Sequence, residues 1–358
     1  MKKRLANLLV FTIVATIFAG CNKAEPPIEN PEDFSGTKIV LSDSGVTVDG
    51  VAASSGDSAV YVANDIVYYE EGHDFTYGEG TKEDAHSAEE AAAHTVVHIT
   101  EPGQYVLSGK LSRGQIAVDL GEDAEDDPNA VVTLVLCGVD ITCEVAPAII
   151  FYRVYECGSK DAENPQSAVF TLHAGANILL ADGQENTASG SYVARIYKPG
   201  TVELNEDGTE VLDAKKLHKY DGAVYSKMSL NVNGSKAGTG VLNIHAENEG
   251  LDSELHLTIN GGNINITSGN DGISVTVLDG AVGFADGVGT CSASCNDGQC
   301  RALEPVSYSN LSRCNVTNHH GNEKGRNAVD TLVVKLLCLV HEGLHSSDAR
   351  ANIYAYAF

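Results

Sequence analysis

The stretch Val241–Ser274 repeats itself and limits the fold more than any other part of the chain. Leu242-Asn243-Ile244 returns as Ile264-Asn265-Ile266, and Asn248-Glu249-Gly250-Leu251 as Asn270-Asp271-Gly272-Ile273, each 22 residues later. A looser copy, Tyr220-Asp221-Gly222-Ala223, lies 28 residues before the Glu249-Gly250 corner, with Ser235 to Gly240 as an inserted loop. A fixed short period with alternating apolar and polar residues predicts stacked coils of short strands, a β-solenoid. Leu255, Leu257 and Ile259 are then expected to point inward and His256 and Thr258 outward. Gly-Gly and Asn-Gly steps supply the positive φ angles of the corners. Leucine-rich repeats have similar periods, but their Leu-x-x-Leu-x-Leu pattern is missing, which leaves a parallel β-helix with coils of about 22 residues.

Stacking at one strand spacing, about 4.8 Å, would place Asn248 over Asn270 and Glu249 over Asp271. Asp221 and Asp252 extend this column of oxygen donors. Calcium takes six to eight hard oxygen ligands at roughly 2.4 Å, so Asp221, Asn248, Glu249, Asp252, Asn270 and Asp271 form a candidate ligand set. The competing reading is an asparagine ladder, in which the amides bond each other and the acids are merely exposed.

Charge narrows the partners. A formal charge of −26 over 358 residues excludes direct binding of nucleic acid, where phosphate must meet Lys and Arg. An anionic polysaccharide is admitted only if a divalent cation bridges the two. Against this background, Arg195, Lys198, Lys215, Lys216, Lys219 and Lys227 gather with Tyr192, Tyr197, Tyr220 and Tyr225. Such a face can grip sugar carboxylates and stack on pyranose rings, with Lys216, Lys219, Tyr225 and Lys227 as candidate ligand contacts. The alternative is local balancing of neighbouring acids. Trp is absent and aromatics make up 6%, so the core must rest on Val, Ile, Leu and Ala.

The N-terminus reads as an address. Met1-Lys2-Lys3-Arg4 is a basic start, and Leu8–Phe18 is apolar but too short to span a bilayer. Phe18-Ala19-Gly20-Cys21 resembles a bacterial lipobox, which implies cleavage before Cys21, acylation of its thiol and export to the cell surface on a lipid anchor. Residues 1–21 are then the signal, 22–36 a Pro- and Glu-rich tether, and 37–280 the solenoid. Glu70–His98 carries His73, His86, His94 and His98 among acids, a pattern that suits either a metal or a solvated loop with a short helix at Ser87–Ala93. Gly121–Ala130 holds five acids in ten residues, a charge run that suits calcium but more commonly marks a solvated loop.

Residues 281–358 form an atypical tail: strand alternation stops, and Cys, His and Arg become frequent. A shifted or truncated reading frame and a divergent cap both fit. The tail includes His341-Glu342-Gly343-Leu344-His345, an HExxH pattern that on a helix would suit a zinc peptidase. The extended form of that motif asks for Gly and a third ligand where Asp348 and Ala351 stand.

Tyr105-Val106-Leu107-Ser108-Gly109, Leu134–Thr142, Ala146-Pro147-Ala148-Ile149, Ala181-Asp182-Gly183, Gly222–Gly234 and Glu247–Ile273 together carry a resemblance. The chain resembles the calcium-binding, carbohydrate-binding parallel β-helix proteins of Clostridia and their relatives, over roughly Lys38 to Ile273. That resemblance implies a right-handed, pectate-lyase-like β-helix, bound calcium and an acidic plant polysaccharide such as polygalacturonate (pectin). It points to a non-catalytic, monomeric surface binder. The same parts would also serve a calcium-dependent polysaccharide lyase, in which calcium acidifies the proton beside the uronate carboxylate. Lys227 is then the foremost candidate base, ahead of Lys216 and Arg195. A structural or adhesive surface role is the remaining alternative.

Overall fold

In the computed structural model, the residues described are 28–56, 58–157 and 174–275, with short strands at 283–284, 289–295 and 314–316. The lipobox cysteine Cys21 and the His341–His345 pattern lie outside them. No described helix is long and apolar enough to cross a membrane.

The chain is all-β, with mixed sheets. The antiparallel pairs lie at the start of the fold and in the arm of residues 191–221. Thr37–Leu41 meets Thr47–Val48, and Val60–Ala63 meets Thr95–Ile99. Two hairpins, Val193–Tyr197 with Lys216–Tyr220 and Glu203–Leu204 with Val211–Asp213, are likewise antiparallel. Thr47–Val48 also meets Val51–Ala52 antiparallel, and the remaining strand pairs run parallel among the described residues. One ladder passes from Thr95–Ile99 through Gly114–Asp119, Ile149–Arg153, Gly222–Ser226 and Glu249–Ser253 to Ile273–Val275. A second passes from Gly103–Leu111 through Val132–Cys143 and Ala176–Leu180 to Leu230–Gly234 and Leu257–Asn260. From the far half of Val132–Cys143 a third branch continues through Glu185–Gly190 and Val241–Ala246 to Gly262–Ser268. The bend that lets one strand serve both branches is at Gly138, φ 80°. Buried Asn186 holds it, its Oδ1 accepting from the amides of Gly138 and Val139 at 2.9 and 3.0 Å.

The internal repeat appears as register. Leu242 pairs with Ile264 and Leu251 with Ile273, both at the 22-residue step. The looser copy is corrected by one residue: Gly222 lies opposite Glu249 and Val224 opposite Leu251, so Asp221 aligns with Asn248 rather than Glu249. Further back the step grows, Glu185 pairing with Val241, because residues 191–221 form an arm outside the ladder.

The core is aliphatic, as the composition requires. Ile116, Ile149, Val224 and Leu251 form one fully buried row, and Leu134, Ile178 and Val232 another. Each such side chain contributes roughly 1.5–3 kcal/mol through removal from water. Leu257 and Ile259 face inward as expected, but His256 and Thr258 do not reach solvent, being 1% and 4% exposed. His256 precedes its strand and is held at the corner, its carbonyl accepting from Leu230 N and Ser253 Oγ. Thr258 stacks in register on buried Asn231.

The segment 28–36, within the expected tether, lies against the fold. Asp182 N donates to Glu29 Oε2 at 2.9 Å, Glu29 N to Asp182 O at 2.8 Å and Gln184 Nε2 to Glu29 O at 2.6 Å. Phe34 packs on an outer apolar row that includes Val106, Val135 and Cys137. The short helix expected after Glu70 is Ala88–Ala92, capped by Ser87 with Glu90 closing the box.

Candidate functional site

The outward row of the first ladder runs through His98, Ala117, Ile150, Tyr225, Asp252 and Ser274. The arm folds back over part of it. Its last strand, Lys216–Tyr220, brings Tyr220 edge-on to Tyr152 (centroids 5.6 Å, 76°) and onto Tyr225 (5.0 Å). Between arm and sheet lies a groove of about 420 Å³, floored by Ala117 and lined on its arm side by all of Lys216–Tyr220. Lys216, Lys219, Tyr225 and Lys227, four residues expected to contact a ligand, line this one groove.

Each of its cations faces an acid. Lys216 Nζ meets Glu254 Oε1 at 2.7 Å, Lys219 Nζ meets Asp221 Oδ2 at 2.7 Å, and Lys227 Nζ meets Glu125 Oε1 at 3.7 Å. The Tyr225 hydroxyl also donates to Glu254. Burial and the Glu254 carboxylate push the Tyr225 phenol well above its ordinary range, so it stays a donor. Charge balancing by neighbouring acids, one of the two readings set by the sequence, is thus present in the groove. Arg195, Tyr192 and Tyr197 play a different part. Arg195 bonds Glu79 at 2.9 Å, and Tyr192 donates to Asp84, fastening the arm to the 70–86 loop.

Two further groove residues were not tied to this site by the sequence, which left Arg153 unmarked and placed His98 only in a histidine–acid cluster. Arg153 makes a two-pronged contact with Asp119, Nε to Oδ1 at 2.7 Å and Nη2 to Oδ2 at 2.6 Å. His98 Nε2 lies 2.7 Å from Asp65 Oδ1 and stacks on Tyr61, centroids 4.5 Å apart. The available signal was polar residues at outward positions of otherwise apolar strands. His94, grouped with His98 as a metal candidate, is instead structural: Nε2 accepts from Glu144 N at 3.1 Å, so Nδ1 carries the proton toward Glu90 O.

Beside the groove sit the carboxylates expected to hold calcium. The corner stack is present, with Asn270 N donating to Asn248 O at 2.9 Å and Gly250 N to Asp271 O at 2.9 Å. Asn248 Nδ2 turns to Asp221 O at 3.1 Å. Amide-to-amide ladders occur elsewhere, at Asn231 on Asn177, Asn260 on Asn233 and Asn265 on Asn243, each 2.9 Å. Burial, then the Asp221 carboxylate, pushes Glu249 up to about 7. Burial, then Glu249 and Asp221, holds Asp252 well above the usual carboxylate range. Asp252 is 3% exposed. Glu249 Oε2 and Asp252 Oδ1 have no hydrogen-bond partner among the described residues. The acids thus repel one another, with Lys219 the cation acting on both. Among the described residues, no three His, Cys, Asp or Glu side chains converge in metal-holding geometry. By donor type the set fits a hard cation; by position it stands open.

The chain is 31% identical over 172 residues to a carbohydrate-binding domain-containing protein of Acetivibrio thermocellus, covering 48% of this chain. It spans less than half of that relative's length, 44%. Among solved structures it is similar to a polysaccharide lyase-like protein from C. thermocellum, determined as a gadolinium derivative. The TM-score is 0.38 at 19% identity, over 80% of this chain and 92% of that one. The family model for carbohydrate-binding domain-containing proteins matches residues 93–296, which include the acidic corner and the groove lining apart from Asp65 and Val67. On that match the chain belongs to the carbohydrate-binding domain-containing protein family.

Proposed function

We propose that the protein binds an acidic polysaccharide, of the polygalacturonate (pectin) type, in the groove beneath the arm, without cleaving it. The observation that carries this reading is the gathering of Lys216, Lys219, Tyr225 and Lys227, with Arg153, around one groove of a strongly acidic chain. A uronate carboxylate can replace the acids that those cations now face, and the tyrosine cluster offers a wall for sugar rings.

Calcium completes the proposal. Asp221, Glu249, Asp252 and Asp271, with the amide oxygens of Asn248 and Asn270, would hold it, and it would relieve the orphaned oxygens beside the groove. A calcium ion there supplies positive charge shared between protein and glycan carboxylates. In this reading the ladders wind as a right-handed parallel β-helix, and acylation at Cys21 holds the monomer at the bacterial surface.

The test combines polygalacturonate, calcium and chelator in one assay that reads retention on the polymer and ultraviolet absorbance of unsaturated product. Retention that needs calcium and produces no absorbance is expected. Rising absorbance would replace the binder by a lyase. Retention unaffected by chelator would remove calcium from the reading and leave the lysine-lined groove alone.

A further inference from the structure

The docked segment 28–36 marks one flank of the molecule. Ile28 sits on Gly183, where a β-carbon would meet its Cγ1 at 3.0 Å, and Glu29 is bonded to Asp182 and Gln184. Asp182, 1% exposed, also accepts from Ala237 N at 2.6 Å and Thr239 N at 2.9 Å. The loop that carries exposed Lys236 therefore belongs to the same corner. A few residues on, Phe34 packs with Val106, Val135 and Leu179, an outward row of the second ladder.

Both contacts lie behind the groove. The chain passes from the first ladder to the second, then to the third branch and back, as Gly222–Ser226, Leu230–Gly234, Val241–Ala246 and Glu249–Ser253 do in turn. The corner at Asp182 and Lys236 joins the second ladder to the third branch, so it is the corner that does not adjoin the first. Inner residues Ile149, Val224 and Leu251 of the first ladder share one core with Ile178 and Val232 of the second. The outer faces of these two ladders therefore look away from each other. The groove is on the outer side of the first, and the docked segment is on the outer side of the second and at its far corner.

Chain length then sets an orientation. Residues 22–27 alone separate Cys21 from Ile28. Seven residue steps reach at most about 25 Å, and the headgroup layer takes up about 6 Å of that. Turning the groove toward the bilayer would send this short stretch around the body. Three layers at about 10 Å spacing, the second ladder, the first ladder and the arm, make that body roughly 30 Å thick with its outer side chains. The reach is too short. We infer that the corner of Gly183 and Lys236, with the docked segment, is held against lipid headgroups, and that the groove opens away from the membrane. The inference rests on acylation at Cys21, proposed above, and not on what the groove binds. The chemistry of the flank suits the position. Ile28, 63% exposed, stands where the chain enters the dock, and Lys236 offers an ammonium to lipid phosphate.

The test reads lysine reactivity on the acylated full chain in vesicles of phosphatidylethanolamine and phosphatidylglycerol. A membrane-impermeant amine reagent is applied briefly, and modification at Lys236 and at Lys227 is compared by mass spectrometry. The comparison chain carries a spacer of about 20 Gly and Ser residues between Pro27 and Ile28, which adds roughly 25 Å of typical reach and leaves the docked contacts in place. Relative to Lys227, Lys236 is expected to react several-fold less in the wild type than in the spacer chain. A ratio unchanged by the spacer, or protection of Lys227 rather than Lys236, would overturn the inference. Absence of the acyl mass from the N-terminal peptide, with loss of the chain from the vesicles, would overturn the anchor and this orientation with it.

Discussion

Tyr225 and Asp252 are register partners on adjacent parallel strands, so a groove-lining phenol and a buried carboxylate with an unpaired oxygen stand one strand apart. The candidate glycan wall and the candidate calcium corner are therefore one piece of structure. A change in either is expected to be felt by the other.

Asp252→Asn separates their contributions. Without calcium, the neutral isostere removes repulsion from Glu249 and Asp221, and stability is expected to rise by about 1 kcal/mol at pH 7.5. With calcium, the wild type should gain melting temperature and the variant little or nothing. A calcium-dependent gain of equal size in both would exclude Asp252 as a ligand.

Lys227→Ala tests the groove without the corner. Its ion pair with Glu125, at 3.7 Å and partly exposed, contributes at most about 0.5 kcal/mol, so the melting temperature should hardly move. Polygalacturonate retention should fall several-fold, and its loss with added salt should be shallower than in the wild type. Unchanged retention would place the glycan elsewhere.

His94 gives a pH signature. Burial lowers its pKa below the ordinary 6.5, and Nε2 is committed as an acceptor from Glu144 N. The unfolded chain then binds the proton that the folded chain refuses, so stability is lost as pH falls below 6.5. The loss is at most about 1.4 kcal/mol per pH unit for one histidine. His218 and His256, also lowered by burial, add with the same sign. In His94→Gln the melting temperature should fall less steeply between pH 7.5 and 5, as read by thermal denaturation across that range.

Gly190→Ala should destabilise by about 1–3 kcal/mol. A β-carbon there would stand 2.8 Å from the Cα and Cβ of Ala223 and 3.0 Å from Ala148 N, where main chain cannot yield. Chemical denaturation would read the shift in midpoint. A midpoint within error of the wild type would mean that the inner approach of the two ladders is looser than these distances imply.

The sequence displayed the ladder where the coil step is constant, because Leu242 and Ile264, or Leu251 and Ile273, are equivalent residues stacked in register. It concealed the ladder where the arm of residues 191–221 interrupts, since an insertion shifts every later position without altering any strand. The basic, tyrosine-bearing segment was visible as local composition, but its division into groove wall and loop fastening was not. That depends on Glu79, Asp84, Glu125 and Glu254, which lie far from their partners in the chain. The groove roles of Arg153 and His98 were hidden for the same reason: each gains that meaning only from a carboxylate on another strand or loop. His256 shows the limit of alternation, which assigns a face to a residue only inside a strand.

The docked segment at Glu29 has a mechanical consequence. Its bonds reach Asp182 and Gln184, 153 and 155 residues along the chain, at the turn between Ala176–Leu180 and Glu185–Gly190. Tension applied at the N-terminus therefore enters through the middle of the ladder, where strands are flanked on both sides, and bypasses the small antiparallel pairs that begin the fold. The docked segment is thus fastened to a part of the molecule well placed to carry load.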